Sequence, residues 1–323
     1  MGNDFSIGLS GVSGVLAPAQ VDVEQLAAAG LVGSTAAVLR EFGFARAHVA
    51  GGACEPGAMA LEAARAAMAD AGVSAPDIDL LVWASARPEN HVRPKLTGAA
   101  HGPDLFDGFR YQSGWLQDAL GLDNADVFAV AQQGCTTMFA ALRAARAILA
   151  TEPDRTHALC VAADVLPPGS PREILYNVIS DGACAVVLSR GCESDRWIGF
   201  RQISQGYYWD PVERAPEIMA SYFLMGRQVI EELLAAHGLT AGDVDVVLPT
   251  GINRTSWDVL LGLVGIPAER LYQGPESFGH TISADSFIQL DHLRRSGRIR
   301  RGAKLLLFTY GFGSSWCALL LEH

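Results

Sequence analysis

Residues 60–83 read ALEAARAAMADAGVSAPDIDLLVW, and residues 226–249 read GRQVIEELLAAHGLTAGDVDVVLP. Each stretch predicts an amphipathic helix, a glycine at the helix end, a short polar turn, and then a buried apolar strand. The same order of elements in both halves of the chain indicates one ancestral unit that is used twice.

Further pairs of segments support this duplication. VFAVAQQGCTTMFAALRAARAIL (127–149) predicts a strand, a Gly-Cys turn and a helix, and LYQGPESFGHTISADSFIQLDHL (271–293) predicts the same series with Gly-His. Alternating strands and helices predict a layered α/β architecture with mainly buried sheets. We expect an N-terminal half, residues 1–190, and a C-terminal half, residues 191–323, packed together as a five-layered α-β-α-β-α sandwich.

Two segments lack clean periodicity. Residues 84–126 and 190–225 are rich in Gly, Pro, Asp and Trp. We interpret them as insertions that shape a pocket or a dimer contact.

Composition excludes several functions. The chain has 323 residues, 50% of them hydrophobic, and a formal net charge of -11, which argues against nucleic acid or an anionic membrane as the main partner. None of the six cysteines forms a C-x-x-C pair, so no metal site is expected. We find no secretory signal and no apolar run of about 18 residues, the length that spans a bilayer. A soluble cytoplasmic protein is the expectation.

Cys135 is the candidate nucleophile. It follows an apolar strand and Gly134, and it opens a helix. A helix N-terminus supplies N–H donors and a partial positive charge, both of which favour a thiolate, and a thiolate accepts acyl groups well. The alternative is a structural core cysteine, which is the expectation for Cys160, Cys184 and Cys317 inside apolar strands.

His280 occupies the equivalent turn in the second half. The pseudo-twofold axis of a duplicated fold would bring the two turns together, so that His280 pairs with Cys135 as a base or hydrogen-bond donor. The alternative is a buried, hydrogen-bonded core histidine. Asp285, five residues later, is a candidate to orient a neighbouring group, but a helix cap or a surface group is the expectation. The GFGSS turn at 311–315 either offers an N–H to a thioester oxygen or is an ordinary hairpin.

These segments resemble the ketoacyl synthase III family of thiolase-fold condensing enzymes. DIDLLVWASARPE, the Cys turn, SDGACAVVL, FLMGRQVI, DVDVVLPTGIN, GIPAERLYQGPESFGHTISADS and GRIRRGAKLLLFTYGFGSSW follow the order and spacing of that family. The resemblance covers most of the chain. It implies a thiolase fold, acyl transfer from an acyl-CoA or acyl carrier protein thioester, no cofactor besides that substrate, and a homodimer.

The family uses a Cys, a His and an Asn. The Cys corresponds to Cys135, but Thr250 stands where the family has its His, and His280 stands where it has its Asn. In the family, His and Asn stabilise the enolate that forms when a malonyl thioester loses carbon dioxide. The substituted pair therefore argues against ordinary decarboxylation. It favours an acyltransferase in which His280 deprotonates a hydroxyl, an amine or a carbon acid.

Three more positions carry over from the resemblance. Asn253 matches an Asn near the pantetheine arm, and Gly313 matches the glycine whose N–H forms the oxyanion hole together with that of Cys135. Arg93 stands where the family reaches the neighbouring subunit's acyl pocket, which suggests an acyl group with a carboxylate or other polar end. A solvated surface arginine is the alternative for Arg93.

Three other functions stay open. They are a carbon–carbon bond-forming ketoacyl synthase with a modified site, an inactive partner subunit of such an enzyme, and a hydrolase. For a carrier protein, Arg227 and Arg254 are the basic residues near the expected contact, and Glu231 and Thr255 fall where the family often has basic residues.

Overall fold

The computed structural model describes residues 6–51, 56–86, 109–274, 278–312 and 314–323. Within these residues there are eight α-helices and thirteen β-strands. The strands are Ile7–Leu16 (β1), Ala19–Asp22 (β2), Arg46–Val49 (β3), Leu80–Ser85 (β4), Asp126–Ala131 (β5), His157–Asp164 (β6), Glu173–Ile174 (β7), Asn177–Val178 (β8), Gly182–Arg190 (β9), Arg196–Ser204 (β10), Val246–Leu248 (β11), Lys304–Gly311 (β12) and Ser315–Glu322 (β13). The helices are Val23–Ala28 (α1), Ala36–Glu41 (α2), Pro56–Ala71 (α3), Gln112–Leu120 (α4), Thr137–Thr151 (α5), Ala215–Ala236 (α6), Arg254–Val264 (α7) and Asp285–Arg295 (α8).

The sequence repeat forms two equivalent units. In the first, α3 leads through a 3₁₀ turn at Ala75–Asp77 into β4. In the second, α6 leads through a 3₁₀ turn at Ala241–Asp243 into β11. Both turns begin with a capping box, in which Ser74 or Thr240 exchanges hydrogen bonds with the aspartate three residues later.

One nine-stranded sheet runs through both halves in the order β11-β12-β13-β10-β1-β9-β6-β4-β5. Strands β5, β4 and β6 are parallel, and β9 and β1 continue antiparallel. In the second half β11 and β12 are parallel, and β13 and β10 continue antiparallel. The two half-sheets are joined by a single bridge, Gly8 to Arg196. The predicted boundary at 190/191 falls in the turn between β9 and β10, and the division into halves stays a prediction.

Apolar side chains fill the spaces between five layers of structure. Successive strand residues point to opposite faces, so each half-sheet has an inner and an outer core. The inner faces of both half-sheets pack on α5 and α8. The outer face of the first half-sheet packs on α3 and α4, and that of the second packs on α6 and α7. The predicted five-layered α/β sandwich is therefore confirmed.

Two expectations need correction. Residues 190–225 are not only an insertion, because they contain β10, a nine-residue strand at the centre of the sheet. Its mixture of Arg, Trp and Gln hides the alternation that is typical of a strand. The strand expected at residue 271 is reduced to a single bridge between Val247 and Leu271. In the described part of the chain no helix is both long and apolar enough to cross a bilayer.

Candidate active site

Cys135 lies in a 3₁₀ turn, Gly134–Thr136, between β5 and α5. The turn needs left-handed backbone, with φ of 63° at Gln132 and 54° at Gly134. The Thr137 hydroxyl donates to Gly134 O at 2.5 Å and fixes the start of α5. Cys135 is 8% exposed. This turn places a buried thiol two residues before the amino terminus of α5, where backbone N–H groups and a partial positive charge lie.

The turn between β12 and β13 packs against the Cys135 turn. A Cβ added to Gly134 would lie 2.7 Å from Phe312 N and 3.0 Å from Gly311 Cα. Only a glycine allows this approach of backbone to backbone. Gly311 and Phe312, the first two residues of the GFGSS segment, therefore lie beside the Cys135 turn. Gly313, the residue predicted for the oxyanion hole, lies outside the described residues.

His280 faces Cys135 from the other half of the fold. Its Nε2 atom lies 3.2 Å from Cys135 Sγ. The backbone of His280 is fixed by the N-terminal half, since His280 N donates to Val178 O at 2.7 Å and Ser180 N donates to His280 O at 2.9 Å. The structure thus brings together the two turns that the sequence repeat pairs.

Asp285 completes a Cys–His–Asp arrangement. The Nδ1 atom of His280 donates to Asp285 Oδ2 at 2.5 Å. The same oxygen accepts from Thr250 Oγ1 at 2.8 Å and from Gly251 N at 2.7 Å. The other oxygen accepts from Thr281 N at 2.6 Å and Thr281 Oγ1 at 2.7 Å. Five donors therefore stabilise one buried carboxylate.

The expectation that Asp285 is a surface group is wrong. Asp285 is the first residue of α8, as a cap-like aspartate would be, but its exposure is only 2%. The sequence does carry one signal for this contact, because Asp285 is only five residues from His280 and begins the helix that follows it. Only the folded chain shows that the carboxylate points at the imidazole.

The pKa values of His280 and Asp285 depend on each other. Burial alone would lower the pKa of His280, but the Asp285 carboxylate and the Cys135 sulfur outweigh it and hold that pKa well above its usual value. Burial would raise the pKa of Asp285, yet the charge of His280 and the hydrogen bonds to the carboxylate keep it below its ordinary value. An imidazolium bonded to the Asp285 carboxylate is the state that this geometry favours.

Comparisons with known proteins agree with this architecture. Residues 234–323 match the profile of the C-terminal part of 3-oxoacyl-(acyl-carrier-protein) synthase III. A beta-ketoacyl-(acyl-carrier-protein) synthase III of Rhizorhabdus wittichii is 27% identical over 305 residues, which is 88% of this chain and 90% of that protein.

Solved structures share the whole fold. The 3-oxoacyl-(acyl-carrier-protein) synthase III of Aquifex aeolicus superposes with a TM-score of 0.81 at 21% identity, covering 98% of this chain and 100% of that one. ChlB3, described as an acyltransferase, superposes with a TM-score of 0.81 at 24% identity, covering 98% of this chain and 97% of that one. The chain has the thiolase fold and is similar over most of its length to ketoacyl synthase III proteins.

Thr250 has a definite hydrogen-bond partner in the structure. A threonine hydroxyl carries one proton, and Thr250 donates it to Asp285 at 2.8 Å. Thr250 is 3% exposed, and its carbonyl accepts from Trp257 Nε1 at 3.0 Å. The hydroxyl that replaces the family's His therefore supports the carboxylate and offers no proton to a substrate oxyanion.

Asn253 has local partners as well. Its side-chain oxygen caps α7 by accepting from Ser256 N at 2.9 Å, and its amide donates to Asn177 Oδ1 at 3.1 Å. The contact of Asn253 with a pantetheine arm stays a prediction. Arg93 lies outside the described residues, so its role also stays a prediction.

The two arginines near the expected carrier contact are paired on their own helices. Arg227 Nε lies 2.7 Å from Glu231, and Arg254 Nε lies 3.0 Å from Asp258. Both pairs span one helical turn, where neighbouring charges stabilise the helix slightly. Their positive charge is thus largely balanced before any partner binds.

Proposed function

We propose that this protein is an acyltransferase that carries an acyl group on Cys135 and passes it to a hydroxyl, amine or carbon nucleophile. The single observation that carries the proposal is the line of contacts from Cys135 Sγ to His280 Nε2, at 3.2 Å, and from His280 Nδ1 to Asp285, at 2.5 Å. A nucleophile, a base and a group that orients the base are the parts that covalent acyl transfer needs.

The first step loads the enzyme. The Cys135 thiolate attacks the carbonyl carbon of a thioester, and the carbon–sulfur bond to the donor breaks. The His280 imidazolium gives its proton to the departing thiolate, so a free thiol leaves and His280 becomes neutral. The thioester is that of coenzyme A or of a carrier protein, as the resemblance to ketoacyl synthase III implies.

The second step transfers the acyl group from Cys135 to the acceptor. Acylation removes the charge of the Cys135 sulfur, which is one of the causes of the raised pKa of His280. The imidazole therefore becomes a better proton acceptor once the thioester has formed. It takes the proton of the incoming nucleophile, the nucleophile attacks the acyl carbon, and Cys135 leaves as a thiolate beside a renewed imidazolium.

The arrangement supports transfer over decarboxylative condensation. Condensation of a malonyl thioester needs two donors directed at one enolate oxygen. Here the Thr250 proton is directed at Asp285, and the His280 ring is bonded to Asp285 on one side and faces Cys135 on the other. An imidazole oriented by a carboxylate is suited to proton abstraction.

Intact-mass measurement tests the proposal. Wild-type protein mixed with an acyl-CoA should gain the mass of one acyl group, and Cys135→Ala should gain none. Cys160→Ala is the control, since Cys160 is fully buried in β6 and should not affect loading. Product analysis with added alcohols, amines and carbon acids then identifies the acceptor. Release of free acid alone would make the enzyme a hydrolase, and absence of any adduct would fit an inactive partner subunit.

A further inference from the structure

Two tyrosines lie beside the Cys135 turn. Tyr222 is on α6 and Tyr310 is near the end of β12. Their rings meet edge to face, with centroids 5.4 Å apart at 85°. The two elements are fixed relative to each other one turn further along α6, because a Cβ added to Gly226 would lie 2.9 Å from the Phe308 ring.

Backbone contacts connect this pair to the nucleophile. Tyr310 directly precedes Gly311, whose Cα would lie 3.0 Å from a Cβ on Gly134. The Tyr310 ring also contacts Phe312, at 5.6 Å between centroids. Trp316 Nε1 donates to Tyr222 O at 3.2 Å, which ties α6 to the same end of β13. Tyr310 therefore directly precedes the residues that pack on the Cys135 turn, and Tyr222 is tied to the same end of the strand pair.

Both hydroxyl oxygens are buried, and among the described residues neither has a hydrogen-bond partner. Ser314 lies close to Tyr310 and donates to Tyr208 O at 2.8 Å, and no hydrogen bond joins it to the Tyr310 hydroxyl. A buried phenol without a partner is unfavourable, because water is lost and nothing replaces it. Two such phenols on rings in contact are suited to bind a group that accepts hydrogen bonds.

The electrostatics place both hydroxyls within the influence of the thiol. Burial raises the pKa of Tyr222, and the Cys135 sulfur adds to the rise. Burial also raises the pKa of Tyr310 to about 12, with Ser314 acting in the opposite direction and Cys135 adding to the rise. The phenols stay protonated at neutral pH and so remain hydrogen-bond donors.

We infer that Tyr222 and Tyr310 select the acyl group, by donating hydrogen bonds to an oxygen atom carried on its chain. The inference rests on the proposed function, since the chain must be held at Cys135. A carboxylate, keto or hydroxyl oxygen would accept these bonds, and a plain alkyl chain would leave both donors unpaired. Sites built to hydrogen-bond a polar group discriminate strongly against analogues that lack it.

Competition between shape-matched thioesters tests the inference. Malonyl, acetoacetyl and isovaleryl groups have similar size and branching, but only the first two carry oxygen beyond the thioester. Equimolar pairs of their coenzyme A thioesters are offered to wild-type protein, and the Cys135 adducts are weighed. We expect the oxygenated group to be favoured at least tenfold. Tyr222→Phe and Tyr310→Phe should each reduce that preference about fivefold to tenfold, as expected for loss of one hydrogen bond.

Two controls exclude a merely structural effect. Each Phe variant loses a buried hydroxyl without a partner, so its melting temperature should be equal to or above that of wild type. Tyr272→Phe removes a bonded hydroxyl, 2.6 Å from His292 Nδ1, and should lower stability without changing the acyl preference. Equal loading of oxygenated and alkyl groups by wild type, or an unchanged preference in both Phe variants, would overturn the inference.

A binding measurement separates this inference from the proposed function. Calorimetry with Cys135→Ala gives dissociation constants for the same thioesters with no acyl transfer. A preference for oxygenated groups that is lost in Tyr222→Phe supports the selection even if wild type forms no adduct. Adduct formation with no difference in affinity or loading would keep acyl transfer and refute the selection.

Discussion

His280 Nδ1 donates to Asp285, the first residue of α8, at 2.5 Å. The other ring nitrogen, Nε2, faces Cys135 in the other half of the fold. The imidazole is thus oriented by a carboxylate of its own half of the chain, and it faces the thiol of the other half. Because five donors hold the carboxylate, the ring has one orientation and its Nε2 atom is directed at the sulfur. The predictions below follow from this arrangement.

Asp285→Asn should reduce acyl transfer by about 10³–10⁴-fold, which is the scale seen when the orienting carboxylate of a catalytic triad becomes an amide. An amide can present its NH2 group to Nδ1 and so favour the wrong tautomer of the ring. Steady-state kinetics with the best acceptor measures the effect. Asp291→Asn is the control, since Asp291 is a buried aspartate of α8 that accepts from Gly14 N. A comparable loss in both variants would mean that the effect is structural.

His280→Ala should still load slowly but fail to transfer. The amino terminus of α5 continues to favour an anionic Cys135, whereas no base remains for the acceptor. The measurement is single-turnover mass spectrometry, in which the acyl adduct persists after acceptor is added. His292→Ala, on helix α8 that follows the His280 turn, should discharge its adduct as wild type does. Normal turnover of His280→Ala would show that another group is the base.

His280 should stay protonated at a pH above its ordinary pKa of about 6.5. NMR titration of labelled histidine measures this directly. The pKa of His280 should fall in Asp285→Asn and in Cys135→Ser, because each variant removes a group that raises it. A raised pKa in the folded state stabilises the fold below the unfolded pKa, and that stabilisation is lost as pH rises through the folded value. No change in either variant would contradict the proposed coupling.

Thr250→Val should lower both stability and transfer. The substitution keeps the volume but removes the proton donated to Asp285, and a hydrogen bond to a buried charge is worth about 1.5–3 kcal/mol. Chemical denaturation measures the free energy of unfolding, and kinetics measures transfer. Thr255→Val, on the exposed side of α7, is the control and should change neither by much. Unchanged transfer in Thr250→Val would show that this bond does not position Asp285.

Gly251→Ala should disrupt the site strongly. A Cβ there would lie 2.5 Å from Gly279 O, 2.8 Å from His280 Cα and 2.9 Å from Asp285 Oδ1. The His280 turn must move, so transfer should fall by at least tenfold. Gly262→Ala in α7 is the matched control, because nothing lies within 4 Å of the new methyl group. That variant should be stabilised by about 0.5–1 kcal/mol through helix propensity alone. Normal transfer by Gly251→Ala would contradict the described packing.

The sequence by itself determined the duplicated architecture. The helix, turn and strand series recurs in the order of residues, and the apolar periods of 2 and 3.6 are local properties that survive in the folded chain. The same repeat pairs the turns of Cys135 and His280, and the structure places their side chains 3.2 Å apart.

Only the tertiary structure decided the function of the polar residues around that pair. Asp285, Thr250 and Asn253 are residue types that serve equally as caps, surface groups or ligands, and their partners are distant in sequence. Thr250 and Asp285 are 35 residues apart, and Tyr222 and Tyr310 come from different elements. The pairing of these polar groups is decided when the two half-sheets pack on α5 and α8. Burial removes water from each group, so that each needs a hydrogen-bond partner from the protein or from a ligand.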